Sequence, residues 1–150
     1  MSAERRVLPA RRLALREKIA YTSERGAALA LYVTAGFDPE TLELLEVFVR
    51  PRGNVDADLC RYFDDIGVLI SRCLQFGDEL ERLADGMGRL PGPPQDGGGR
   101  AAHSPIGAVI DALRELRWEA GRAWPSPARA DLPAKPPSAA SPGASARRAP

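Results

Sequence analysis

The spacing of apolar residues changes once along this chain, and the change limits the folds that are open to it. Up to Arg50, apolar and polar side chains alternate with a period of two, which is typical of β-strands. Beyond that residue, apolar side chains recur every three or four positions, which is typical of amphipathic helices. The sequence therefore predicts an α+β fold, in which an antiparallel sheet comes first and packed helices follow.

Three segments of the first part read as strands, over residues 13–21, 27–34 and 45–50. Turn-forming residues separate them, at 23–26 (Ser-Glu-Arg-Gly) and 38–39 (Asp-Pro). The second segment carries apolar residues on both of its faces, as expected for a strand with neighbours on either side. These features predict a three-stranded antiparallel meander.

The helical part begins with a long apolar stripe, for which Asn54 or Asp56 can supply the N-cap. The stripe covers about four turns of one helical face and consists of Leu59, Phe63, Ile66, Ile70 and then Cys73 or Leu74. Gly77 ends this helix, and Asp78 can cap a second, shorter one. The short helix takes its apolar face from Leu80, Leu83, Ala84 and Met87.

A linker and a further helix complete the predicted fold, which has two or three packed helices in all. Residues 89–103 are rich in glycine and proline and are predicted to be the linker. Ser104 and Pro105 have the form of an N-cap and first turn, so a docking helix is predicted over 104–118. Its apolar face is formed by Ile106, Val109, Ile110, Leu113 and Leu116.

The remaining segments divide the chain into an arm, a domain and a tail. Residues 1–12 form a basic N-terminal arm, and residues 13–88 hold the α+β domain. Seven of the fourteen prolines lie in the last thirty residues, among alanine, serine and glycine. Such a composition cannot bury enough apolar surface to offset the entropy of ordering, so a disordered tail is predicted over 119–150.

Charge is distributed unevenly, although the formal net charge is only +1. Residues 4–18 hold six basic side chains against two acidic ones, whereas residues 38–85 hold twelve acidic side chains against five arginines. Two interpretations remain open: a polyanionic partner, or flexible ends that fold back onto the acidic body. Under the first, the arm binds nucleic acid through Arg5, Arg6, Arg11 and Arg12.

The two cysteines, Cys60 and Cys73, are predicted to lie on the same helix, about 20 Å apart at 1.5 Å per residue. That separation is too large for a disulfide, whose Cα atoms lie within about 7 Å of each other. Together with the lack of an apolar run of about eighteen residues, this predicts a cytoplasmic protein without a membrane span.

Catalytic side chains are scarce. His103 is the sole histidine and falls in the predicted linker, so a histidine-based nucleophile or a multi-histidine metal site is hard to build. Asp64 and Asp65 are neighbours on a helix and point about 100° apart, which prevents them from acting as a carboxylate pair. We therefore predict no catalytic residue, no metal site and no cofactor held by this chain alone.

One loop is a candidate anion or nucleotide site. It joins the third strand to the long helix and contains Arg50, Arg52, Gly53 and Asn54. Free amides and the positive end of a helix dipole favour phosphate at such a place. The alternative is an ordinary strand-to-helix turn in which the two arginines pair with nearby acids.

Four segments, taken in order, resemble the TSCPD domain. They are residues 8–12 (LPARR), 46–49 (EVFV, entering the basic Gly-Asn loop), 70–77 (ISRCLQFG) and 104–111 (SPIGAVID). This domain occurs at the C-terminus of adenosylcobalamin-dependent ribonucleotide reductases and as small free-standing bacterial proteins. The likeness covers about residues 7 to 116, and the Thr-Ser-Cys-Pro-Asp string that names the family is absent.

The resemblance implies a non-catalytic accessory domain connected with deoxyribonucleotide synthesis. Its partner would be a ribonucleotide reductase, another protein or a nucleotide, and adenosylcobalamin would be involved only through a reductase partner. A second class of function follows from the charge pattern instead. In that class the chain is a nucleic-acid-binding or regulatory module that uses its basic arm.

Overall fold

The three predicted strands form one antiparallel sheet in the order β1-β2-β3. The computed structural model describes residues 4–10, 12–91 and 100–124. The strands are β1 (Leu13–Thr22), β2 (Ala28–Phe37) and β3 (Leu44–Pro51). The predicted α+β class and the meander, with its second strand in the centre, are confirmed.

One face of this sheet is the core face, and it carries the odd-numbered residues of β2. Leu31, Val33, Ala35 and Phe37 are fully buried, and Val47 and Val49 of β3 lie opposite Ala35 and Val33. A register shift after Gly36 makes Leu44 the partner of Phe37. Leu44 and Leu45 are consequently both buried, although the alternation of the sequence predicts only Leu45 on the apolar face.

The long helix α1 (Ala57–Gln75) presents the predicted stripe to this core. Its N-cap is Asp56, whose carboxylate accepts a hydrogen bond from the backbone N–H of Asp58 at 2.6 Å. Of the two residues that could end the stripe, Leu74 is buried and Cys73 is only half-buried. Gly77 follows the helix with φ +100°, a conformation that glycine adopts without strain.

Helix α1 also covers the outer edge of β3. The hydroxyl of Ser71 accepts the backbone N–H of Val47 at 2.8 Å and lies 3.3 Å from the Val47 carbonyl. The side-chain amide of Gln75 donates to the carbonyl of Leu45 at 3.0 Å. These side chains occupy backbone groups that another strand would otherwise take, so the edge of the sheet is closed at Leu45 and Val47.

Three further elements differ in part from the predictions. Helix α2 (Leu80–Asp85) begins after Glu79 rather than at an Asp78 cap; the N–H of Asp78 is bonded to the Cys73 carbonyl, and its carboxylate is directed to the Cys73 thiol. The predicted linker, 89–103, contains two short paired strands, β4 (Arg89–Pro91) and β5 (Arg100–Ala102). Strands of three residues are too short to show a period in the sequence.

The last helix, α3 (Pro105–Ala123), starts where predicted and ends later. The Ser104 hydroxyl accepts the Gly107 N–H at 3.1 Å, as an N-cap should. The prediction of 104–118 missed the last turn, in which Ala120 and Gly121 are buried although charged residues surround them. The predicted tail, 119–150, is helical up to Ala123, and its residues from 125 onward lie outside the described part.

Helix α3 packs across β1 and β2 on the core face and completes the core. A bidentate ion pair joins it to β4: the guanidinium of Arg89 contacts the two carboxylate oxygens of Asp111 at 2.5 and 2.7 Å. These hydrogen bonds raise the pKa of Arg89, and both side chains are largely buried, at 18% and 9% exposed. Within the described ranges, no helix is both long and apolar enough to cross a membrane.

Acidic side chains meet where β1 and α3 face each other. Glu17 of β1 has a raised pKa, first because of desolvation and then because of repulsion from Glu119 and Glu115. One carboxylate oxygen of Glu115 is buried without a hydrogen-bond partner among the described residues. This contact therefore stores electrostatic strain when all three groups are ionised.

Replacing Glu17 with glutamine should raise the melting temperature at neutral pH. Because the pKa of Glu17 is higher in the folded chain than in the unfolded chain, ionised Glu17 destabilises the fold above its folded pKa, and protonation removes the penalty. The difference in melting temperature between Glu17→Gln and the native chain should thus shrink as the pH falls toward 4.5, the ordinary pKa of a glutamate side chain. Glu24→Gln, in the exposed β1–β2 turn, is the control. The repulsion at Glu17 would be refuted if Glu24→Gln raised the melting temperature equally. It would also be refuted if the effect of Glu17→Gln did not depend on pH.

Candidate binding face of the sheet

The even-numbered strand residues lie on the side of the sheet opposite the core, which we call the open face. Among the described residues no helix packs on it, because α1 and α3 both take the core side. Its larger side chains include Arg16 and Lys18 on β1, Tyr32 and Thr34 on β2, and Phe48 and Arg50 on β3, with Glu46 of β3 beside Gly36 at one end. An exposed sheet face of this kind is available for binding.

The strand register arranges these residues in two rows. Tyr32 of the central strand has Lys18 on one side and Arg50 on the other. In the next row, Thr34 lies between Arg16 and Phe48. Side chains opposite each other in such pairs have Cβ atoms about 4.5–5.5 Å apart, so each aromatic ring has basic groups within reach.

The open face carries two aromatic side chains, and the surroundings of each leave its ring able to stack against a planar group. The guanidinium carbon of Arg16 lies 4.2 Å from the centre of the Tyr32 ring, which is a cation–π contact. Phe48 is 58% exposed, an unusual position for phenylalanine in a folded domain. The open face thus combines aromatic surface with positive charge.

The charge of the open face is only partly neutralised. Arg16 and Lys18 have no ion-pair partner among the described residues. Arg50 lies 3.3 Å from the carboxylate of Asp64 on α1, but the two side chains are 62% and 43% exposed. Solvent screens such a pair, which contributes little and opens readily.

The residues of the candidate anion loop have different surroundings. Arg50 belongs to the open face, and the N–H of Arg52 is bonded to the Ala30 carbonyl at 2.8 Å. Gly53 has φ +94°, and Asn54 is exposed. The loop as an anion site stays a prediction.

The N-terminus of α1, which that prediction used, already has anionic neighbours. The carboxylate of Asp56 occupies the N–H of Asp58, and Asp58 adds a second carboxylate in the first turn. These groups compensate the positive end of the helix dipole. An added phosphate would meet repulsion there.

The basic arm is folded against the acidic body. The guanidinium of Arg5 donates to the side-chain oxygen of Gln75 at 2.6 Å, and Arg6 pairs with Glu43 and donates to the Leu74 carbonyl at 3.0 Å. Arg12 pairs with Glu46, so three of the four candidate arginines are occupied. Arg11 lies outside the described residues.

The arm also covers one end of the open face. Leu8 is buried against Gly36, where a Cβ would meet the Leu8 side chain at 3.4 Å and the Glu46 Cβ at 3.1 Å. The rows that contain Tyr32 and Phe48 lie farther along the strands and stay uncovered by this contact. The arm therefore limits the open face on one side, and nucleic-acid binding by the arm stays a prediction.

The two cysteines form no disulfide, and His103 takes part in hydrogen bonds of the fold through its backbone. Cys60 and Cys73 are both free and both lie on α1, as predicted. Desolvation, followed by the nearby Asp78, raises the pKa of Cys73, which makes its reactive thiolate less available. The N–H of His103 donates to the Gly88 carbonyl, and the His103 carbonyl accepts a hydrogen bond from the Tyr21 hydroxyl. The described residues contain no cluster of three or more side chains that could hold a metal ion.

The predicted basic sites lie in the arm and in the loop after β3, so neither includes Tyr32 or Phe48 of the open face. Strand alternation alone places Tyr32 away from Leu31 and Val33, and groups Phe48 with Arg50. What alternation cannot give is the register that sets these positions side by side.

Comparison of the chain with protein-family models, with curated proteins and with solved structures gives no match.

Proposed function

We propose that this chain is a non-catalytic binding domain whose open face binds single-stranded nucleic acid. The observation that carries the proposal is the position of Tyr32 and Phe48 among Arg16, Lys18 and Arg50 on a sheet face without a covering helix. Stacking of a base on an aromatic ring contributes about 1–3 kcal/mol and tolerates any base. Basic side chains beside the rings would contact the phosphates.

The two rings are suitably placed for neighbouring bases. Phe48 is two residues before Arg50, the direct partner of Tyr32, so the two aromatic positions are diagonal neighbours across the β2–β3 pair. Such positions are about 7–8 Å apart. Sheet-based RNA-binding domains stack two or three bases on aromatic side chains of a sheet in this way.

A single strand fits this face better than a duplex does. The bases of a duplex are stacked on each other and cannot reach rings on a flat sheet, whereas those of a single strand can turn outward. With about three basic side chains on the face, binding to a single strand should weaken with salt with a log–log slope of about −2. A duplex would contact only the charges.

Fluorescence anisotropy with labelled oligonucleotides tests the proposal. We expect Tyr32→Ala/Phe48→Ala to weaken binding of a single strand by tenfold or more, at about 1–3 kcal/mol for each lost stacking contact. The matched control is Tyr62→Ala, which removes an exposed aromatic ring from α1. For charge, Arg16→Ala/Lys18→Ala should flatten the salt dependence, whereas Arg82→Ala, on the exposed side of α2, should not.

Three results would refute this function. They are an anisotropy that does not change at about 50 mM salt, equal affinity for duplex and single strand, and wild-type affinity in Tyr32→Ala/Phe48→Ala. Far-ultraviolet circular dichroism of each variant separates loss of the face from loss of the fold. Both rings are outside the buried core, so we expect the variants to remain folded.

A second proposal is an accessory role with an adenosylcobalamin-dependent ribonucleotide reductase. It is supported by the way two of the TSCPD-like segments meet: Ser71 and Gln75, from the segment 70–77, hold β3 at Val47 and Leu45. In this role the cofactor stays with the reductase. The test is co-purification of this chain with a reductase that lacks its own TSCPD domain; failure to co-purify at micromolar concentrations of both would remove the proposal.

A further inference from the structure

Helix α1 has a second apolar stripe, on the side that faces solvent. Tyr62, Leu69 and Phe76, the residue that caps the C-terminus of α1, recur at intervals of seven residues and are all exposed, Leu69 to 64%. A seven-residue interval returns to nearly the same helical face, so the three side chains form one row about 21 Å long. We call this row the outer stripe; none of its residues contributes to the core.

The outer stripe is separate from the binding face. Asp64, which pairs with Arg50 beside the open face, precedes Leu69 by five residues and so projects about 140° away from it. The core residues of α1 point to a third side. The proposed nucleic-acid site consequently does not use this surface.

The outer stripe is self-complementary about Leu69. If a second α1 packs against the first in the antiparallel direction, Leu69 meets its own copy, and Tyr62 of each chain meets Phe76 of the other. The charges follow the same symmetry. Asp65 and Arg72, which flank Leu69 and have no ion-pair partner among the described residues, come to lie opposite each other's copies.

We propose that two copies of this chain associate through antiparallel α1 helices along the outer stripe. A patch that contacts itself around a twofold axis is the commonest kind of interface in homo-oligomers. A parallel twofold arrangement would put Asp65 and Arg72 of one chain on the opposite side of the interface from those of the other, so the contacts between Asp65 and Arg72 would be lost. Because four turns of helix bury less than the roughly 1,600 Å² of a standard interface, the dimer should be weak and dependent on concentration.

Sedimentation equilibrium of the full chain, from about 10 µM to about 1 mM, tests the proposal. The native chain should change from monomer to dimer within that range. Leu69→Asp should weaken the association at least tenfold, since it places two carboxylates at the twofold axis. Val68→Asp is the matched control: Val68 is also exposed but projects about 100° from the outer stripe, so its dimer should persist.

A charge exchange distinguishes this interface from other ways of pairing. Asp65→Arg and Arg72→Asp should each weaken the dimer, and the double variant should restore it, because opposite charges again face each other. A chain that stays monomeric up to the highest concentration would overturn the proposal. So would a dimer that Leu69→Asp leaves intact, or single charge variants that the double variant fails to rescue.

Discussion

Replacing Ile70 with aspartate is expected to unfold the domain. Ile70 is 8% exposed, in the middle of α1, where it packs into the core formed with the sheet and α3. A carboxylate at this position would be buried without a partner, at a cost of several kcal/mol. Since a small domain is stable by only about 5–15 kcal/mol, the substitution consumes most or all of that stability.

The next residue along the helix provides the control for this expectation. Leu69 lies on the outer stripe, so Leu69→Asp introduces the same charge into water and should leave the fold intact. Circular dichroism and urea titration of the two variants measure the contrast. An Ile70→Asp variant that melts cooperatively within a few degrees of the native chain would show that α1 is not held as the structure has it.

Replacing Gly67 with alanine should destabilise the fold, although the same change stabilises most helices. Alanine is favoured over glycine within a helix by about 0.5–1 kcal/mol. At Gly67, however, an added Cβ would lie 2.8 Å from the backbone carbonyl oxygen of Val47, and backbone cannot move aside cheaply. We expect a net loss of about 1–3 kcal/mol, as for other overpacked sites, and a larger loss for Gly67→Val.

The same substitution should also loosen the edge contacts of β3. If Cβ pushes α1 away from the strand, the Ser71 hydroxyl can no longer reach the Val47 N–H, and hydrogen exchange of that amide should become faster. Val68→Ala, at the adjacent exposed position, controls for general effects on the helix. A Gly67→Ala variant more stable than the native chain would contradict this expectation. It would mean that the helix propensity of alanine outweighs the close contact with the Val47 carbonyl oxygen.

Much of the fold could be predicted from the sequence, because its strands and helices have strong periods. Alternation indicates the three strands, and the apolar stripe that starts at Leu59 indicates α1, with Asp56 as one of its two possible caps. The strands β4 and β5 were not predictable, since each has only three residues. Their position depends partly on the ion pair between Arg89 and Asp111, which are twenty-two residues apart in the chain.

The candidate site was predictable only in part. The predicted anion site groups Arg50 with residues of its own loop, whereas the strand register places Arg50 beside residues of the adjacent strand. Lys18, Tyr32 and Arg50 are far apart in sequence and become one row only through the strand register. Where the arm contacts the body could not be predicted for a similar reason. Glu43 and Glu46 are two of many acidic residues with which Arg6 and Arg12 could pair.

The late position of α3 has a consequence for how the chain is made. During synthesis, the sheet and α1 leave the ribosome well before residues 105–123, which supply the cover for β1 and β2 on the core face. Until then the apolar side chains of β2 that face α3 are exposed to water, and exposed strands of this kind tend to aggregate. The nascent domain is thus most vulnerable in the interval between the two helices, and a chain interrupted there would be a substrate for chaperones or proteases.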